Sequence, residues 1–116
     1  MTAAGNSLLE VTRDGDAFRL SGEVDLSNVD QLTTAISSEV RDGNRVILDC
    51  SDLRFIDSTG MAGLLSICKG LGSTGRLVLR TLPPQVAKAA HILGLDRVPN
   101  LEVVKPTAPA GAAATA

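Results

Sequence analysis

Two unbroken apolar triplets, Val46-Ile47-Leu48 and Leu77-Val78-Leu79, set the main constraint on what this chain can form. A strand that is apolar without alternation is buried on both faces, which is the habit of parallel sheets. Between the triplets Met61, Leu64, Leu65, Cys68 and Leu71 recur at helical spacing. Parallel neighbours need a crossover of about a dozen residues or more, and a helix of that length supplies it. The pattern therefore predicts a strand–helix–strand unit.

The flanking segments extend the unit in both directions. Leu8 to Thr12 and Ala17 to Glu23 alternate around Arg13-Asp14-Gly15-Asp16, a hairpin signal. Phe18 and Leu20 share one face of the second run, and Arg19 and Ser21 take the other. A helix then follows, with Ser27 as N-cap, Asp30 in its first turn, and the stripe Val29, Leu32, Ile36, Val40. Asp42-Gly43-Asn44 ends it. Arg45 to Asp49 reads as a strand, and Cys50 to Asp57 as a connection that carries Leu53, Phe55 and Ile56. The next helix starts near Ser58 and stops at Gly72-Ser73-Thr74-Gly75. Arg76 to Arg80 is another strand. Pro83-Pro84 opens a third helix, with Val86, Ala89, Ala90 and Leu93 on its buried side and Gly94 closing it. Leu101 to Val104 is a short last strand.

The expectation is one α/β domain over residues 8–104, a small mixed β-sheet with helices packed mainly on one face. Residues 1–7 read as a flexible N-terminus. Residues 105–116 are almost entirely Ala, Pro, Gly and Thr and read as a disordered tail.

Composition narrows the function. A formal net charge of −2 and the absence of Trp and Tyr argue against nucleic-acid binding, which needs a basic stripe and stacking platforms. No segment reaches the length of a membrane span, and Met1 to Ser7 lacks a signal-peptide pattern, so a cytoplasmic protein without membrane contact is expected. Cys50 and Cys68 have no metal-ligand spacing and read as small core residues. A redox pair would need their Cα atoms within about 7 Å. No cofactor or metal motif is present.

One segment concentrates the polar chemistry: Phe55-Ile56-Asp57-Ser58-Thr59-Gly60-Met61-Ala62-Gly63. A helix start offers unpaired N–H groups and a positive dipole end, so Ser58 can cap it and a phosphate there is tolerated. Gly60 and Gly63 lower helix propensity, so a packing or approach requirement outweighs it. They would serve close helix–sheet packing, or let a partner or a modifying enzyme approach.

Asp57-Ser58-Thr59-Gly60, after an apolar pair and before a helix, resembles the phosphorylation signature of anti-sigma-factor antagonists of the STAS domain family. Ser21-Gly22-Glu23-Val24-Asp25 is similar to that family's Gly-Glu-hydrophobic-Asp element. Val46 to Leu53 is similar to its central strand and following loop. The resemblance runs from about Leu8 to Val104. It implies that Ser58 is the phosphoacceptor and that Asp25 lies beside it; Asp25, Asp52 and Asp57 are expected to make the surroundings of Ser58 acidic. It also implies that Asp57, Thr59, Gly60 and Met61 complete a partner-binding element, and Thr59 is a possible secondary acceptor. In such systems the unphosphorylated protein binds an anti-sigma factor that is itself a serine kinase, freeing sigma factor. Phosphorylation ends the complex and a phosphatase resets it. The implied state is a monomer or weak dimer.

Two other functions fit less of the sequence. Catalysis would need a base for Ser58, and His91, the single histidine, falls in the third helix. A non-phosphorylated STAS subunit, serving as a structural partner of a transport ATPase or transporter, is the remaining alternative.

Overall fold

A computed structural model describes residues 8–104, so the expectations for 1–7 and 105–116 lie outside the described residues. The elements run β1 (Leu9–Asp14), β2 (Ala17–Val24), α1 (Val29–Ile36), β3 (Arg45–Ile56), α2 (Ser58–Leu71), β4 (Arg76–Arg80), α3 (Pro84–Ile92) and β5 (Leu101–Val104). The sheet order is β1-β2-β3-β4-β5, antiparallel between β1 and β2 and parallel throughout the rest. The expected element order and mixed sheet are present.

The hairpin turns at Gly15, whose φ of +63° is a left-handed conformation that glycine adopts without strain. Gly22 is more tightly constrained. Its φ is +106°, and a Cβ there would lie 1.8 Å from the Leu8 carbonyl oxygen. That carbonyl accepts the Glu23 N–H at 3.0 Å, so β1 and the end of β2 are locked together through a glycine.

β3 is twelve residues long. The expected connection from Cys50 to Asp57 is therefore corrected: nearly all of it is strand. Arg19 faces Asp49, yet Ser21 faces Asp52. Gly22 faces Leu53, yet Glu23 faces Phe55. β3 thus carries one extra residue at each of two points, the mark of β-bulges. Buried positions change from every second residue (Val46, Leu48, Cys50) to every third (Leu53, Ile56). That loss of a two-residue period is what reads as a loop.

α1 is shorter than its apolar stripe. After Ile36 the chain makes a single 3₁₀ turn, Ser37–Glu39, and Val40 packs on the core from an extended backbone. The Ser37 hydroxyl donates back to the Thr34 carbonyl at 2.9 Å, a local bond that competes with helix continuation. Ser27 is not the N-cap; Asn28 occupies that position. Leu93 is also corrected: it is exposed, because Gly94 at φ +81° turns the chain and sends Leu95 into the core instead.

Leu20, Val24, Leu32, Ile36, Leu48, Leu71 and Leu79 centre the main core, which draws on all three helices and on one face of the sheet. On the other face Ala17, Ile47 and Val78 form a separate small cluster with Val104 and no helical member. The helices therefore cover one face. Long side chains border the open one, where Arg19 pairs with Asp52 and Arg76 with Glu102.

Candidate functional site at the ends of β2 and β3

β2 and β3 are hydrogen-bonded neighbours that end together, Val24 opposite Ile56. The loops that follow share one rim of the sheet, the position where parallel α/β folds present ligands and partners. The Asp57 N–H donates to the Val24 carbonyl at 3.1 Å, which ties the start of α2 to the end of β2.

The β2–α1 loop is braced from within. The Asp25 carboxylate accepts the Ser27 N–H at 2.9 Å and the Ser27 hydroxyl at 2.6 Å. The Asp25 N–H donates to the Asn28 side-chain oxygen, and the Asn28 amide donates to the Glu23 carbonyl, both at 2.9 Å. Asn28 is only 5% exposed, and these two bonds satisfy both ends of its side chain.

α2 is capped by Asp57 rather than Ser58. Asp57 has extended backbone, and its carboxylate accepts the Gly60 N–H at 2.8 Å. Ser58 is the first helical residue, and its side chain is exposed. No side-chain hydrogen bond holds it among the described residues. Thr59 is half-buried.

Gly60 and Met61 are buried and face the core. A Cβ on Gly60 would lie 2.5 Å from Ile56 Cγ1 and 2.9 Å from Val24 Cγ1, and one on Gly63 would lie 2.5 Å from Val29 Cγ2. The glycines let α2 pack close to the strand ends and to α1. Gly60 and Met61 therefore shape the site from beneath, while Asp25, Asp57, Ser58 and Thr59 reach its surface to differing degrees.

Asp52, an acidic neighbour in sequence, stands apart. It pairs with Arg19 at 2.6 Å, and five strand positions, about 16 Å, separate it from Asp57. The local carboxylates are Asp25, Asp57 and Glu23, with Arg54 3.8 Å from Glu23. Two further contributors escape sequence reasoning. Leu26 projects from the braced loop, and its only signal is an apolar residue between Asp25 and Ser27. Arg54 is the extra residue of the second bulge.

Among the described residues no group of three or more His, Cys, Asp and Glu could hold a metal ion. A cleft of about 390 Å³ between α3 and β5 is lined by Leu82, Ala87, Ala90, His91, Asp96 and the last residues of β5, and excludes the Ser58 rim. His91, in the last turn of α3, pairs with Asp96 at 2.6 Å. Burial pushes the Cys50 thiol up to about 12 and the Cys68 thiol up to about 11. Both cysteines are free and buried. No described helix is long and apolar enough to cross a membrane.

A braced acidic loop and an exposed serine beside a capped helix, on a five-stranded mixed sheet with helices on one face, define the class. The chain matches the STAS domain family over residues 9–108 and belongs to it. It is similar to the Bordetella bronchiseptica protein BtrV, designated a candidate anti-sigma factor antagonist, with 36% identity over 65% of this chain and 66% of that one. A Mycobacterium paratuberculosis anti-sigma factor antagonist superposes with a TM-score of 0.64 at 27% identity, covering 92% of this chain and 90% of that one. Unphosphorylated SpoIIAA, an anti-sigma factor antagonist, gives 0.63 at 26% identity, covering 91% and 92%. The phosphorylated form of Bacillus SpoIIAA shares the fold, with a TM-score of 0.56 at 23% identity, covering 92% and 96%.

Proposed function

We propose that this protein is an anti-sigma-factor antagonist whose binding is switched by phosphorylation of Ser58. In its unphosphorylated form it binds an anti-sigma factor with serine kinase activity and frees sigma factor. The kinase modifies Ser58, the complex ends, and a phosphatase restores the hydroxyl. The chain acts by binding and catalyses nothing itself.

The observation that carries this reading is the division of labour between Asp57 and Ser58. Asp57 caps α2, so the Ser58 hydroxyl stays exposed and uncommitted. Phosphorylation adds about −1.5 to −2 charges at neutral pH. The helix N-terminus tolerates that charge, and the fold survives. A partner surface fitted to a neutral hydroxyl meets a dianion beside Asp25 and Asp57. A loss of about 3 kcal/mol lowers affinity more than a hundredfold. SpoIIAA, an anti-sigma factor antagonist of similar fold, exists in both states, which supports the same switch here.

The test is intact-mass analysis of the native protein, followed by capture of the partner on wild-type, Ser58→Ala and Ser58→Asp baits. An anti-sigma factor retained by the first two and lost by the third, with a phosphate added by that partner and ATP, is the expected result. A protein that stays unlabelled and binds equally in all three forms is instead a structural STAS subunit.

A further inference from the structure

We infer that Leu26 and Phe55 are the apolar anchors by which this rim grips the anti-sigma factor. The inference rests on the function proposed above and adds residues which that reading does not use.

Leu26 is 76% exposed, and Phe55 is 49% exposed. Leu26 lies two residues beyond β2, and Phe55 is the penultimate residue of β3. Because β2 and β3 are paired neighbours ending at Val24 and Ile56, both residues belong to the rim that carries Asp57 and Ser58. A single exposed leucine needs no explanation. This one sits on a loop tied by four hydrogen bonds between Glu23 and Asn28, so its position is set before any partner arrives. A braced loop lowers the ordering cost of docking, and an exposed apolar side chain on such a loop has the character of an interface anchor.

Charge identifies the complementary surface. The same strand ends and loops carry Glu23, Asp25 and Asp57, and Arg54 pairs with Glu23, which leaves Asp25 and Asp57 in excess; the partner therefore offers an apolar recess with a basic margin. Asn28 is a positioning residue: buried, it touches no partner and holds the loop that carries Leu26.

The experiment measures affinity by calorimetry for the anti-sigma factor identified on the Ser58→Ala bait and then purified. The baits are the full-length chain and its Leu26→Ala, Phe55→Ala and Ile92→Ala variants. Ile92 is the control, because it is 69% exposed yet lies at the far end of α3. Leu26→Ala and Phe55→Ala should each bind at least tenfold more weakly with unchanged circular dichroism, and Ile92→Ala within twofold of wild type. Asn28→Ala should weaken binding, and Asn28→Asp, which cannot donate to the Glu23 carbonyl, should not restore it. Wild-type affinity in Leu26→Ala and Phe55→Ala, or an equal loss in Ile92→Ala, overturns the anchors and leaves the Ser58 switch standing. Failure of the wild-type chain to bind any anti-sigma factor overturns both.

Discussion

The carboxylate of Asp57 accepts the backbone N–H of Gly60 at 2.8 Å, closing the first turn of α2 around Ser58. One residue thus satisfies the helix end and leaves the next free for solvent. An N-cap aspartate also places negative charge at the positive end of the helix. Removing it by Asp57→Ala should cost about 0.5–2 kcal/mol, seen as a lower urea midpoint, with Asp57→Asn recovering most of the loss. Unchanged stability in Asp57→Ala would mean that another group caps α2.

Gly60→Ala sets propensity against packing. Alanine is favoured over glycine in a helix by about 1 kcal/mol, yet the new methyl would sit 2.5 Å from Ile56 Cγ1. Overpacking of this kind costs typically about 1–3 kcal/mol, so the variant should be less stable than wild type in chemical denaturation. Gly63→Ala, which meets only Val29 Cγ2 at 2.5 Å, should lose less than Gly60→Ala. A stabilised Gly60→Ala protein would show that α2 stands further from the sheet.

Thr81, just past β4, has φ +62°, a strained value for a β-branched residue. Thr81→Gly should release about 1 kcal/mol of strain, partly offset by the greater freedom of glycine when unfolded. A rise of a few degrees in melting temperature is expected.

The thiols offer a check on any redox role. With Cys50 raised to about 12 and Cys68 to about 11 by burial, both remain protonated at neutral pH. Labelling with a thiol-reactive disulfide reagent should be slow in the native state and rapid in urea. Fast labelling of the folded protein would revive the redox reading.

Two carboxylates predict the direction of acid sensitivity. The hydrogen bond from His91 holds Asp96 below the usual carboxylate range, against an opposing effect of burial. For Asp49 burial acts upward, but the Ser51 N–H and hydroxyl, with Arg80 and Arg19, outweigh it and lower the value. A carboxyl depressed by folding contributes stability above its unfolded value and loses it as pH falls through the folded one. Stability should therefore decline at acid pH, and His91→Ala should move the Asp96 midpoint upward in a carbon-13 titration.

Much of this was legible in the residues themselves. Local patterns determine the hairpin at Gly15, the core strands around Ile47 and Val78, and the helix starting at Ser58, because each depends on neighbours a few positions away. The acidic serine segment was equally readable for that reason. Tertiary structure alone decided the rest. The bulges in β3 arise from pairing with β2, so Cys50 to Ile56 carries no two-residue period to reveal a strand. Asp57 rather than Ser58 caps α2 because the Asp57 N–H is tied to Val24 across the sheet. Gly60 and Met61 turn inward and Leu26 outward because close packing assigns space only once the elements meet.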